Sequence, residues 1–297
     1  MAGLAARTTT VRGILAGIAA ATIWSGWYVL ARHGVTAGGM GPYDLAALRF
    51  LVAAPLLLLI LRRFPLNWAQ LPLALIMALG VGPAFVVVVG TGFLQAPANF
   101  GGAVTAVCGV LFSLVGARLL MGERLGTVQK AGIALSVVGL VLLARGAAGG
   151  GSAWPFLVGG LLWAAYGLAF RRSGLSALEA VTAVAVLSAL IYLPVYFVLA
   201  GGRMWQADPA ELLLQGLGQG VITGIVALAL HAVAVADLGA TRGALFQSLV
   251  PPFTLILSFL FIGEPVTLTG VAATVLVLVG VSLALRKSRG ALGDAIP

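Results

Sequence analysis

The chain has 297 residues, of which 61% are hydrophobic and 8% are charged, and its mean hydropathy is +1.12. A soluble domain carries about 25% charged residues, so this composition excludes a soluble globular fold and indicates an integral membrane protein. The net charge of +9 does not indicate a nucleic-acid partner, because the basic residues stand singly or in pairs between apolar segments, with no basic stripe.

Ten apolar segments are long enough to cross a bilayer, which takes about 20 residues per helix. In chain order, the predicted spans 1 to 10 are residues 13–33, 43–62, 71–93, 99–120, 128–145, 155–171, 178–199, 212–236, 242–262 and 268–286. The N-terminal residues resemble the start of a signal peptide. The segment from Ile14 to Ala31 is nevertheless long and lacks a good small-residue cleavage site, so we expect it to be retained as span 1.

The distribution of Lys and Arg predicts the orientation. Ten spans place both termini on one side, and 13 of the 17 Lys and Arg residues lie at the termini or in the even-numbered loops. Cytoplasmic loops are enriched in Lys and Arg, so we expect both termini to be cytoplasmic.

The two halves of the chain are similar to each other. Residues 101–145 align without a gap to residues 242–286 at a constant offset of 141, and 13 of the 45 positions are identical. Shared apolar composition raises such a count, but the matching Gly-Glu pairs at 122–123 and 263–264 are harder to explain that way. At a slightly smaller offset, Trp24 in span 1 matches Trp163 in span 6.

Because each copy contains five spans, an odd number, the two copies must cross the membrane in opposite senses. We therefore expect an all-α integral membrane fold of ten transmembrane helices, arranged as two inverted five-helix repeats with boundaries at residues 1–148 and 149–297. Inverted repeats are typical of secondary transporters, whose substrate site lies near the middle of the membrane between the halves. A duplication without a transport role is the alternative.

Several motifs resemble one family. These are the Arg49-Phe50 pair in span 2, Met121-Gly122-Glu123 and Ile262-Gly263-Glu264 at the ends of spans 4 and 9, and Pro251-Pro252 in span 9. They resemble the ten-helix EamA-type branch of the drug/metabolite transporter superfamily. Within that branch the chain looks most like bacterial exporters of amino acids, including aromatic ones. Span 7 has no equivalent of the Arg-Phe pair, which leaves any shared role of Arg49 open.

The resemblance implies a transporter of the bacterial inner (plasma) membrane that carries a small-molecule substrate, lies in the lipid bilayer as a monomer or homodimer, and binds no nucleic acid. The residues themselves show no Ser/His/Asp arrangement, no His-rich box and no metal-ligand spacing, and they include one cysteine, Cys108. We therefore expect neither an enzyme nor a cofactor nor a metal site.

No Asp, Glu, Lys or Arg falls near the middle of a predicted span, so we expect a neutral central cavity that suits apolar or zwitterionic solutes. Its aromatic candidates are Trp24 and Tyr28 in span 1 and Trp163 and Tyr166 in span 6. The mid-span positions of Trp24 and Trp163 argue against the interfacial aromatic belt, and core packing is the remaining alternative.

The polar candidates for the cavity are Asn99, Gln219, Gln247 and Ser248; helix–helix hydrogen bonding is the alternative for each. Gly82-Pro83 in span 3 and Pro251-Pro252 in span 9 are candidate gating hinges, because proline removes a backbone hydrogen bond and bends a helix. A static kink is the alternative. Small residues such as Gly132 and Gly280 make spans 5 and 10 candidates for a scaffold or a dimer contact.

The function that these features favour is export of amino acids, including aromatic ones, and related small metabolites by alternating access through the central cavity. An exporter of other metabolites or of drug-like cations is the alternative within transport. A membrane scaffold or sensor without transport is the alternative from a different class.

Overall fold

The computed structural model describes residues 2–64, 66–122, 126–146, 152–238 and 245–285, and the regular secondary structure within these ranges is helical. Ten helical segments follow one another and keep the span numbers used above. Spans 1 to 5 are Ala2–Thr36, Pro42–Leu61, Leu71–Val81 with Pro83–Phe93, Ala98–Met121 and Thr127–Gly146. Spans 6 to 10 are Trp154–Ser173, Ala177–Ala200, Pro209–Leu238, Phe246–Ile262 and Leu268–Ala284.

By length and composition, seven of the described helices can cross a membrane, namely spans 1 to 5, 7 and 8. Spans 9 and 10 are shorter apolar helices, and span 6 ends on the charged pair Arg171-Arg172. The predicted bounds agree with the helices to within a few residues, except that the helix of span 1 begins earlier, at Ala2. The predicted start of span 9 at residue 242 lies outside the described residues, as do Glu123 and Arg286 of the repeat alignment.

The packing of the spans repeats when the two halves are exchanged. Span 1 packs against spans 8 and 9, and its counterpart, span 6, packs against spans 3 and 4. Spans 2 and 7, spans 4 and 9, and spans 5 and 10 each pack against their own counterpart. A two-fold relation between the halves produces this set of pairs, because a segment near the axis must meet its own copy.

Spans 5 and 10 form a tight pair at the edge of the bundle. A Cβ added to Gly132 would lie 2.4 Å from the backbone nitrogen of Ala284, and one added to Gly280 would lie 2.6 Å from that of Ser136. Glycine at these positions lets the two backbones approach closely, as small residues do in membrane helix pairs.

Three of the spans that surround the centre are interrupted. Span 3 breaks at Gly82, whose backbone is extended (ψ −151°) before Pro83 begins a new helix. Span 8 widens to a π-helix over Gly216–Val226. In span 9 a 3-10 helix, Phe246–Leu249, becomes α-helical at Val250, directly before Pro251 and Pro252. Interruptions of this kind redirect side chains and backbone groups, and π-helical turns are frequent at functional sites.

Candidate functional site

A cavity lies at the centre of the bundle, between the two halves. It consists of two adjoining pockets with cavity volumes of about 50 Å³ and 60 Å³. Both pockets are lined by Trp24, Arg49, Val81, Trp163 and Thr223, so they form one continuous site. Every span except 5 and 10 contributes at least one lining residue. The glycine-packed pair of spans 5 and 10 therefore supports the bundle from outside the site.

The two tryptophans that the repeat relates to each other meet in this cavity. The rings of Trp24 and Trp163 are 6.1 Å apart between centroids and nearly perpendicular, at 79°. An edge-to-face pair of this geometry is worth about 0.5–1.5 kcal/mol beyond the area it buries. Because repeat-related residues can touch only near the axis that relates the halves, this pair marks the axis as well as the cavity.

Further rings extend this pair in both directions. On one side, Trp163 meets Tyr166 at 6.0 Å, and the Tyr166 ring stacks on Phe170, also at 6.0 Å. On the other, Phe85 lies between Trp163, at 6.1 Å, and Trp27, at 5.4 Å. Tyr28 continues the series with Trp27 at 4.9 Å. The cavity wall is thus a column of aromatic rings.

The expectation of a neutral cavity is wrong, because Arg49 lines both pockets. Its guanidinium carbon lies 5.8 Å from the ring centroid of Trp27 and 5.7 Å from that of Phe50, within the range of cation–π attraction. Arg49 is the eighth of the 20 residues of span 2. This position is close to the middle of the span, so the expectation that no charged residue lies near mid-span does not hold for Arg49.

A chain of hydrogen bonds runs from the surface to this wall. The Nε1–H of Trp27 donates to the side-chain oxygen of Gln219 (2.6 Å), and the Gln219 amide donates to that of Gln215 (3.0 Å). The Gln215 amide donates to Glu211 (2.8 Å), whose other oxygen lies 3.2 Å from Nε2 of His33. Both glutamines are 0% exposed. This series of hydrogen bonds fixes the orientation of the Trp27 ring beneath Arg49.

The predicted cavity residues divide into two groups. Trp24, Tyr28, Trp163, Tyr166 and Gln247 line the pockets. The other three predicted residues do not.

Gln219 lies behind Trp27, as the hydrogen bond between them requires. The Ser248 hydroxyl donates to the backbone oxygen of Leu245 at 2.6 Å, so it serves its own helix. Asn99 lies at the start of span 4, where its backbone N–H donates to Glu264. Trp27, Phe85, Thr105 and Thr223 also line the cavity.

The cavity is closed on the side of the odd-numbered loops, which we call the odd-loop side. Phe93, Phe100 and Phe156 pack there at centroid distances of 5.2 and 5.8 Å and are almost fully buried. Beyond them, Arg32 donates a hydrogen bond to the backbone oxygen of Phe93 and lies 3.8 Å from Glu264. The aromatic layer and the polar contacts together close this end.

Glu264 links the two halves at this closure. Its carboxylate accepts hydrogen bonds from the backbone N–H groups of Ala98 (2.7 Å) and Asn99 (3.2 Å), at the N-terminus of span 4. A carboxylate is favourable there because the first N–H groups of a helix have no partner within it and carry a partial positive charge. The Gly-Glu motif of the second half of the chain thus caps a helix of the first half. The matching Glu123 lies outside the described residues.

The predicted hinges coincide with two of the interruptions. A Cβ on Gly82 would lie 1.9 Å from the backbone oxygen of Ala78 and 2.6 Å from the Ser188 hydroxyl, so the break in span 3 requires glycine. In span 9, the backbone oxygen of Val250, next to Pro251, accepts hydrogen bonds from Ser25 (3.2 Å) and Thr254 (2.8 Å). One hydroxyl group from span 1 and one from span 9 itself thus bond the backbone where proline interrupts the regular pattern.

A larger hollow lies between spans 1, 8 and 9, but its walls are almost wholly apolar. They include Leu214, Ile222 and Phe261, which are 49%, 45% and 74% exposed. Exposed apolar walls of this kind indicate a groove on the lipid-facing surface, and the central cavity remains the candidate site. Among the described residues, no group of His, Cys, Asp or Glu is placed to hold a metal ion.

Comparison with known families agrees with this geometry. The model of the EamA-like transporter family matches the chain twice, over residues 11–145 and 152–286. The chain belongs to the EamA-like transporter family. The resemblance found in the sequence motifs is confirmed at the level of this family, which lies within the drug/metabolite transporter superfamily. The fold expectation is confirmed too: this EamA-like protein has ten transmembrane helices in two five-helix repeats.

A solved structure described only as the crystal structure of a protein has the same fold. It superposes with a TM-score of 0.63 and covers 94% of this chain and 96% of its own, at 19% sequence identity. At that identity the similarity shows the fold alone. No curated protein matches the chain in sequence. The EamA-like assignment makes the chain a multi-pass membrane transporter.

Proposed function

We propose that this EamA-like protein exports amino acids, including aromatic ones, and related small metabolites across the bacterial inner membrane. The observation that carries the proposal is the edge-to-face contact of Trp24 with Trp163 at the centre of a cavity that both halves line. Aromatic walls attract aromatic solutes by ring stacking, and a site at the interface of two repeats is where secondary transporters bind their substrates.

The mechanism we propose is alternating access. The closure on the odd-loop side consists of a packed aromatic layer and the Arg32–Glu264 contact, which connects span 1 to the end of span 9. For a substrate to leave on that side, these contacts must separate while an equivalent closure forms at the opposite end. The interruptions at Gly82-Pro83 and Pro251-Pro252 lie in spans that line the cavity, so they are the proposed hinges.

Placement in the membrane follows from the charge distribution. We propose that both termini face the cytoplasm, since the termini and even-numbered loops carry most of the Lys and Arg residues. The odd-loop side is then the exit for an exported substrate. The tight pairing of span 5 with span 10 already buries their glycine faces, which favours a monomer over a homodimer formed through those faces.

Efflux from proteoliposomes tests the function. Purified protein is reconstituted into liposomes loaded with radiolabelled phenylalanine or with other amino acids, and release is compared with protein-free liposomes. We expect saturable release of the aromatic amino acids. We expect Trp163→Ala to slow it strongly, and the matched variant Trp154→Ala, at an exposed span end, to leave it unchanged. Absence of release across a broad amino-acid panel would refute the proposed substrate.

A further inference from the structure

Arg49 is a charged group inside the transport cavity, and its guanidinium has no polar partner in the described part of the chain. No ion pair or hydrogen bond of its guanidinium is found among the described residues, where its close contacts are the rings of Trp27 and Phe50. A charge at this depth is costly, and it persists in membrane proteins where it pairs or serves a substrate pathway. A negatively charged group of a ligand would complete the site.

The acidic residues that the structure describes are occupied elsewhere. Six of the eight lie in described segments, and each has its own partners. These are Asp44 with Tyr196, Glu179 with Arg63, Asp208 with the backbone of Ala210, Glu211 with His33 and Gln215, Asp237 with Arg12, and Glu264 with Arg32. None of the six lines either pocket of the cavity. The cavity thus presents one cation and no described anion.

We propose that Arg49 binds a carboxylate of the substrate, and that the recognised class is carboxylates with an apolar or aromatic body. An amino acid belongs to this class by virtue of its carboxylate, and its ammonium group is dispensable for binding. The inference rests on the proposed transport function and narrows the substrate class of the same site.

The chemistry of the guanidinium supports this assignment. Its planar fork of N–H donors matches the two oxygens of a carboxylate, so the pair makes two charge-assisted hydrogen bonds. An ammonium group has no such partner here. The rings of Trp27 and Phe50, to which it would otherwise be attracted, already lie beside the positive charge of Arg49. The remaining rings, Trp24, Trp163 and Tyr166, are left to pack against the body of the substrate.

Three ligands of similar size distinguish binding through the carboxylate from binding through the ammonium group. Phenylalanine carries both, 3-phenylpropionate carries only the carboxylate, and phenethylamine carries only the ammonium group. Binding is measured as the rise in unfolding temperature of the purified full-length protein. A thiol-reactive fluorogenic dye reports unfolding, because Cys108 is the one cysteine and is buried. This readout does not depend on transport.

We expect phenylalanine and 3-phenylpropionate to stabilise the protein at comparable concentrations, and phenethylamine to have no effect. Arg49→Gln should weaken carboxylate binding by about tenfold to a hundredfold, the range for a hydrogen bond to a charged group. Arg49→Lys, which keeps the charge without the fork and guards against a folding defect in the glutamine variant, should bind carboxylates with intermediate affinity. Arg145→Gln, exposed on span 5, is the matched control and should behave as the unmodified protein.

Stabilisation by phenethylamine, or carboxylate binding that Arg49→Gln leaves unchanged, would overturn the inference. So would a failure of both carboxylates to stabilise the unmodified protein. The proposed function is decided separately, by phenylalanine flux in liposomes. Flux without selectivity for the carboxylate refutes the role of Arg49 alone, whereas carboxylate binding without flux refutes transport alone.

Discussion

The hydrogen bond between Trp27 and Gln219 allows a quantitative test of how the cavity wall is held. Replacing Gln219 by Leu keeps a side chain of similar length but removes the acceptor of the Trp27 Nε1–H at 2.6 Å and the donor to Gln215 at 3.0 Å. All three residues are buried, so water cannot replace the lost partners. Hydrogen bonds between membrane helices contribute about 0.6 kcal/mol each on average and about 1.7 kcal/mol at most.

Gln219→Leu removes one bond between spans 1 and 8 and one within span 8, and if both contribute on this scale the loss is about 1–3 kcal/mol. The contribution of the Trp27–Gln219 hydrogen bond is isolated by a double-mutant cycle with Trp27→Phe. This variant keeps a ring against Phe85 but lacks the N–H group. We expect the double variant to be more stable than the sum of the single changes by about 0.6–1.7 kcal/mol, a factor of about 3 to 20 in the equilibrium constant.

The cycle is measured as unfolding temperature in one detergent, with the thiol-reactive dye at Cys108. Gln247→Leu is the control partner, since Gln247 lines the same cavity but has no hydrogen bond to Trp27 among the described residues. Its effect should add to that of Trp27→Phe. Additive effects for the Gln219 cycle as well would refute the claim that the chain of glutamines holds the Trp27 ring.

Three further outcomes follow from the packing. Gly82→Ala should destabilise the protein strongly, because the new Cβ would lie 1.9 Å from a backbone oxygen, whereas Gly26→Ala, with open space around it, should be tolerated; unfolding temperatures compare the two. Gly132→Ala should cost about 1–3 kcal/mol by separating spans 5 and 10, without changing substrate affinity in liposomes. Glu264→Gln should weaken the odd-loop closure, so an impermeant thiol reagent should reach a cysteine at Ala106 severalfold faster in a Cys108→Ser background.

Unchanged labelling in the Glu264→Gln protein would contradict the assignment of that contact to the closure. Equal stability of the Gly82→Ala and Gly26→Ala proteins would show that the break in span 3 does not depend on glycine. A change in substrate affinity in Gly132→Ala would contradict the separation of spans 5 and 10 from the site.

The architecture was predictable because it depends on composition and periodicity. Apolar segments of membrane-spanning length give the helices, and the odd number of spans in each copy gives the inversion. The contact of Trp24 with Trp163 also follows in part from sequence, since both lie near the middle of their spans and are related by the repeat. Repeat-related residues that lie at mid-span and near the symmetry axis are necessarily close to each other.

The details of the site depend on the directions of individual side chains, which sequence spacing does not give. Arg49 lines the cavity, whereas Gln219 turns away from it within a π-helical segment whose period differs from that of an α-helix. Glu264 caps a helix that begins 166 residues earlier in the chain, a contact that only the folded packing of the halves creates. Local sequence carries no signal for such pairs.

The claim that two halves alternate around one cavity is tested most directly by counterflow. Proteoliposomes are loaded with a high concentration of unlabelled phenylalanine and diluted into a trace of labelled phenylalanine. A carrier with one alternately exposed site returns with labelled substrate after each release, so the label should accumulate inside transiently above its external concentration. Entry of the label only up to equilibrium, unaffected by the internal phenylalanine, would show an open pathway and contradict alternating access.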